Sequence, residues 1–155
     1  MAGLHGRSLG GLVERHGFGD SQLIADSIRR LRFQAGAGFM HGFIDVVFES
    51  EGRYYLADYK SNFLAATPEG YRPAQLNEVM AREQYSLQYL IYTVAVHRFL
   101  RMRLPDYDYE RHFGGVYYLF LRGMDPALGH RCGVFYDRPG RALVEALDCH
   151  LQGRG

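Results

Sequence analysis

Gly42-Phe-Ile-Asp-Val-Val-Phe-Glu-Ser-Glu-Gly-Arg-Tyr-Tyr-Leu-Ala-Asp-Tyr-Lys60 is the stretch whose reading decides the fold. Both halves alternate and are rich in Val, Ile, Phe and Tyr, which suits strands. Ser50-Glu51-Gly52-Arg53 lies between them and reads as a tight turn, with Gly52 free to take positive φ. An even-length loop centred between Glu51 and Gly52 pairs each residue with the one whose number brings the sum to about 103. Asp45 and Asp58 then face each other on one side of a sheet, with Cβ atoms about 5 Å apart. Folding alone gives no reason to oppose two carboxylates. A divalent cation between them removes the repulsion and makes a hard oxygen site. Lys60 follows Asp58 by two residues, so the strand period puts it on the same face. Two carboxylates and a lysine on one face are the parts needed for metal-assisted phosphodiester cleavage.

The chain has 155 residues, a length suited to one domain with a real core. It is 47% hydrophobic and 23% charged, ordinary for a globular protein. A net charge of +1 does not announce a nucleic-acid partner, so any positive surface is local. Cys132 and Cys149 make no metal motif and cannot supply the four thiolates of an iron–sulfur cluster. They fit a reduced, cytoplasmic protein. No apolar run approaches the ~20 residues of a membrane span. The first residues lack a signal-peptide pattern. No Gly-x-x-x-x-Gly-Lys-Ser/Thr loop for ATP occurs.

The remaining sequence predicts helix, strand, strand, helix, strand, strand, helix. A short helix is expected over 9–15. A second, over 21–31, is capped by Asp20 or Ser21 and broken by Ala35-Gly-Ala-Gly38. The hairpin runs from about residue 41 to 61. Residues 62–73 read as a loop turning at Thr67-Pro-Glu-Gly70. One long helix is expected over 75–102, with Pro105 past its end. Residues 104–111 read as a polar loop. Strands are expected over 115–122 and, more weakly, 133–136, and a closing helix over 139–152. The order predicts a mixed α/β (α+β) sandwich around a central sheet.

Several segments together resemble a known family. They are Gly38-Phe-Met-His-Gly-Phe-Ile-Asp45, Gly52-Arg-Tyr-Tyr-Leu56, Asp58-Tyr-Lys-Ser-Asn62, Tyr85-Ser-Leu-Gln-Tyr-Leu-Ile-Tyr92, Asp106-Tyr-Asp-Tyr-Glu-Arg-His-Phe-Gly-Gly115 and Tyr118-Leu-Phe-Leu-Arg-Gly123. They closely resemble the C-terminal nuclease domain of the RecB subunit of bacterial exodeoxyribonuclease V, within the PD-(D/E)xK nuclease superfamily. The resemblance makes 1–155 a single partial nuclease domain. It has a loosely matching lead-in over 1–37, the nuclease core over 38–138 and a C-terminal helix over 139–155.

This resemblance implies a restriction-endonuclease-like core, a central mixed sheet flanked by helices. It implies that Asp45, Asp58 and the backbone carbonyl of Tyr59 hold Mg²⁺, with Mn²⁺ or Ca²⁺ able to occupy the same oxygens. Lys60 would orient the attacking water and offset charge building on the phosphate. Gln88 and Tyr92 match a Gln-x-x-x-Tyr element, and their spacing puts both on one helix face. They would face the DNA or the metal cluster. The implied partners are DNA and the other exodeoxyribonuclease V subunits, RecC and RecD, acting on linear DNA in double-strand break repair and recombination. The family also carries an upstream helix with a metal-binding His and an upstream strand with an acidic position. No counterpart is found here, and His5 and His16 do not fit that ligand. The expectation is a fragment whose metal site lacks its third side-chain ligand. The helicase motor is absent too, so no ATP-driven step is implied.

Plainer readings stand beside these. An Asp-x-Lys pair is often only a salt bridge. Tyr107, Tyr109, Tyr117 and Tyr118 could stack the bases of single-stranded DNA, but core and rim packing is the stronger reading. Arg98, Arg101 and Arg103 suit the dipole of a helix end as well as they suit phosphates. Two alternatives to a nuclease follow. One is a catalytically weak DNA-binding or subunit-docking module. The other is a metal-free structural domain, which would tolerate the acidic pair for no gain.

Overall fold

The turn at Glu51 and Gly52 sets the hairpin register. In a computed structural model, which describes residues 6–17, 21–29 and 43–152, both turn residues have positive φ, 52° and 77°. That is the two-residue type I′ pattern whose twist matches the flanking strands. Gly52 N–H is further held by Glu49 Oε1 at 2.5 Å. β1 (Val46–Ser50) therefore pairs antiparallel with β2 (Arg53–Lys60) from Ser50↔Arg53 to Val46↔Ala57, and every pair sums to 103 as expected.

A crossover then returns the chain to pair β3 (Phe113–Phe120) parallel to β2, and β4 (Val134–Asp137) closes the sheet antiparallel to β3. The result is a mixed four-stranded sheet in the order β1-β2-β3-β4, flanked by helices. It is compatible with the expected restriction-endonuclease-like core.

A bulge sets the β2–β3 register. Tyr54 stands opposite Phe113, but Tyr55 stands opposite Gly115, leaving Gly114 as the extra residue. A Cβ on Gly114 would meet the Tyr55 ring at 2.3 Å, and Gly115 has φ 134°, so the bulge is built from glycine. Beyond it, Asp58 lies opposite Tyr118 and Lys60 opposite Phe120. A slip of one residue would send Tyr118 to the other face.

The helices depart from expectation at one instructive place. The single helix expected over 75–102 is two: α3 (Pro73–Arg82) and α4 (Tyr85–Arg103), counted after α1 (Gly6–Arg15) and α2 (Ser21–Arg29). Gln84, with φ 61°, is left-handed and breaks the run. α4 then lays Tyr85 and Tyr89 against Tyr118, with ring centroids 5.7 and 5.8 Å apart. Residues 104–111 are not wholly a polar loop. One turn of helix, α5 (Tyr109–His112), is capped by Asp108 accepting from Arg111 N–H at 3.0 Å, and it buries Tyr109 in the core. A 3₁₀ turn, Pro68–Tyr71, lies within the loop expected over 62–73. β3 starts two residues before the expected strand, and a 3₁₀ turn, Leu121–Gly123, takes its last residues. α6 (Arg141–Leu151) closes the chain. The expected cap at Asp20, the end of the helix at Leu31 and the glycine break over 35–38 lie outside the described residues.

One apolar cluster unites these parts. Leu9, Val13, Ile24 and Ile28 of α1 and α2 join Leu56, Val116 and Phe120 of the sheet and Leu143, Val144 and Leu147 of α6. Burial of such aliphatic side chains stabilises by about 1.5–3 kcal/mol each. α4 is tied to α6 through buried Asp148, which takes Arg98 and, at 3.7 Å, Arg101. Arg98 is thereby engaged by the fold, whereas Arg101 remains exposed. Tyr109 and Tyr118 are core residues. Tyr117 belongs to an aromatic row, Phe48–Tyr55–Tyr117–Tyr136, on the opposite face of the sheet from Asp58. No helix among the described residues is long and apolar enough to cross a membrane.

Candidate active site

The hairpin brings the predicted carboxylates together by backbone geometry. Asp45 occupies a bend one residue before β1, so the ladder stops at Val46↔Ala57. Its carboxylate crosses to β2 instead and accepts from Tyr59 N–H at 3.0 Å. Asp45 is exposed, whereas Asp58 is 7% exposed, beneath α4. Burial raises the Asp58 carboxyl above its ordinary value. Lys60 opposes that shift, and the nearby charge of Asp45 adds to it. The residue expected to be a ligand is thus a carboxyl group whose ionisation burial opposes, beside a second one.

Lys60 makes the ion pair of the plainer reading, Nζ to Asp58 Oδ1 at 2.8 Å. It does more. Its ammonium lies 3.3 Å from Gln88 Oε1, 4.1 Å from the centre of the Tyr85 ring and 5.0 Å from that of Tyr118. Gln88 in turn donates from Nε2 to Tyr92 OH at 3.2 Å and accepts from Tyr118 OH at 2.7 Å. All five predicted side chains therefore converge: Asp45, Asp58 and Lys60 from the hairpin, Gln88 and Tyr92 from one face of α4.

Tyr85 and Tyr118 belong to this cluster and were not singled out for it. Tyr118 is recognisable only once the bulge at Gly114 is known. A compositional signal was available for Lys60: it is the only lysine in the chain, against seventeen arginines. Arginine serves wherever a charge meets surface or carboxylate. The single compact, strongly hydrated point charge stands at the Asp-x-Lys position.

The Asp58 shift has a measurable sign. The folded state holds this proton to higher pH than the unfolded chain does, so the folded state binds more protons in the interval above pH 3.8. Stability present at low pH is lost as pH rises through the folded-state value. Without divalent cation, Asp58→Asn is expected to melt above wild type at pH 7, with the gap closing near pH 3.5, as followed by circular dichroism. A wild type that gains on wild-type Asp58 ionisation, and so melts above the variant at pH 7, would contradict this account.

No protein-family model matches the chain. Individual relatives do. The chain is 51% identical over 118 residues to the RecBCD enzyme subunit RecB of Haemophilus influenzae, covering 76% of this chain and 10% of that protein. It is 48% identical over 118 residues to the RecBCD enzyme subunit RecB of Escherichia coli K12, with the same coverage. It is 48% identical over 116 residues to that of Mycobacterium tuberculosis H37Rv, covering 71% of this chain and 11% of that protein. The chain spans about 10% of the length of these curated relatives.

Proposed function

We propose, from the premise that this chain belongs by sequence to the RecB family, that it is a metal-dependent deoxyribonuclease domain hydrolysing phosphodiester bonds of linear DNA. One observation carries the reading: Asp45, Asp58 and Lys60 meet at one end of a hairpin, where the closeness of the two carboxylates to each other works against the ionisation of Asp58.

The donor set fits Mg²⁺. That ion is commonly held by one or two carboxylates and keeps several waters. Asp45, Asp58 and the carbonyl of Tyr59 are the hard oxygens that would hold it, and Mn²⁺ or Ca²⁺ would accept the same set. Bound there, the ion would lower the pKa of a water and neutralise the scissile phosphate. Asp58 keeps Lys60 alongside the carboxylates. Lys60 places a positive charge where negative charge develops on the phosphate oxygens. Gln88 and Tyr92 fix Lys60 from the α4 side.

DNA is the partner this chemistry requires. The relatives' name sets RecB within the RecBCD enzyme, and the proposal extends to association with the other subunits, RecC and RecD, in double-strand break repair. A second reading, a weak DNA-binding or docking module, draws on the ligand count. Among the described residues, no group of three His, Cys, Asp or Glu side chains stands together.

Degradation of linear single-stranded DNA separates the two. Wild type with Mg²⁺ is expected to cleave, and EDTA or Asp58→Ala to abolish cleavage. A folded wild type that binds DNA without cutting it would favour the docking module. Cleavage retained by Asp58→Ala would remove the site assignment.

A further inference from the structure

We propose that Tyr85 and Tyr118 are positioning residues for Lys60: with Gln88 they form a cage that holds the ammonium group beside Asp58. The catalytic consequence rests on the nuclease reading above; the cage itself does not.

A lysine side chain has four rotatable bonds and normally carries its charge out to water. Lys60 is instead 12% exposed and is gripped on every side that the structure describes. Asp58 Oδ1 takes one N–H at 2.8 Å and Gln88 Oε1 another at 3.3 Å. The Tyr85 ring lies 4.1 Å from Nζ and the Tyr118 ring 5.0 Å. Both are within cation–π range.

The orientation of the Gln88 amide is determined by chemistry. Lysine has donors only, so the face toward Nζ must be the carbonyl. Tyr118 OH gives that carbonyl its second donor at 2.7 Å, and Nε2 is spent on Tyr92 OH. Burial pushes the Tyr118 hydroxyl well above the ordinary tyrosine range, so it remains a donor. The Tyr85 ring is held by packing on Tyr118 and Phe120, with centroids 5.7 and 6.4 Å away, and its hydroxyl also donates to Asn62 Oδ1 at 3.2 Å. Removing the Tyr118 hydroxyl takes away the shorter of the two bonds that hold the Gln88 carbonyl and leaves it a looser partner for the ammonium. Removing the Tyr85 ring opens the ammonium to solvent. Either change leaves the Asp58 carboxylate untouched.

The sole lysine makes the test direct. In protein labelled with ¹³C,¹⁵N-lysine, the single side-chain signal is Lys60, and the ring currents of Tyr85 and Tyr118 should move its εCH₂ protons upfield. Tyr85→Leu is expected to return the signal toward that of free lysine, and Tyr85→Phe to leave it in place. In DNA cleavage, Tyr85→Leu and Tyr118→Phe are each expected to lower kcat about tenfold with KM unchanged, while Tyr85→Phe stays within about twofold of wild type. In a Lys60→Met background the Tyr85→Leu change should have no further effect.

A wild-type signal at the free-lysine position would overturn the cage. A signal displaced by Tyr85→Leu with kcat unchanged would overturn its positioning role. Near-wild-type cleavage by Lys60→Met would overturn the role of Lys60 and the catalytic consequence of the cage with it. Absence of cleavage by folded wild type would overturn the nuclease reading. In both cases the resonance would still decide whether the cage exists.

Discussion

Lys60→Ala is expected to lower the rate of DNA cleavage by about 10³-fold, the scale seen when one preorganised donor to developing oxyanion charge is removed. The variant should remain folded. Asp58 loses its partner, but burial already favours its neutral form, so the carboxyl can take a proton in place of a salt bridge. Lys60→Arg should not rescue. A planar guanidinium is broader than an ammonium, and the space is bounded by the Tyr85 and Tyr118 rings and the Gln88 amide. Single-turnover cleavage with circular dichroism on the same samples checks both points. Arginine activity near wild type would show that charge alone suffices there.

The second large effect is structural. Gly115→Ala is expected to destabilise the chain by about 3 kcal/mol, as judged from urea unfolding. Two costs combine. The residue has φ 134°, a conformation that side chains rarely adopt, and a Cβ there would meet the Tyr136 ring at 2.6 Å and the Asp137 carbonyl at 2.9 Å. Gly115 follows the bulge that brings Tyr118 opposite Asp58, so the damage should reach the site. A surviving Gly115→Ala protein is expected to lose cleavage beyond what its unfolded fraction explains. Unchanged stability would mean that the backbone relaxes at little cost.

The half of the candidate site that lies on the hairpin was legible because it is local. A two-residue turn leaves one register that keeps the apolar pattern, and that register brings Asp45 toward Asp58 and puts Lys60 beside it. The Gln88–Tyr92 pair was legible as helix spacing. What brings the two halves together was not. Glu83 and Gln84 are good helix formers, and neither Gly nor Pro marks the break at Gln84, so the run over 75–102 reads as continuous. Packing of α4 on the sheet overrides that propensity. The bulge is equally silent, because Gly114-Gly115 looks like the start of a strand when it is the second and third residue of one. Tyr109 shows the same limit: three charged neighbours, Asp108, Glu110 and Arg111, made its surroundings look wet, yet its side chain is 2% exposed.

The parallel β2–β3 ladder has a kinetic meaning. Tyr54 and Phe113 are neighbours in space, yet the whole crossover lies between them in the chain. Pairs so distant in sequence close slowly, whereas a hairpin closes in about 1–10 μs. The carboxylates should therefore meet early in folding, and the tyrosines and glutamine that hold the lysine should arrive late, with the crossover. A chain caught between the two stages would have its acidic pair without its lysine cage; on the proposed nuclease reading it would attract a cation and fail to cut.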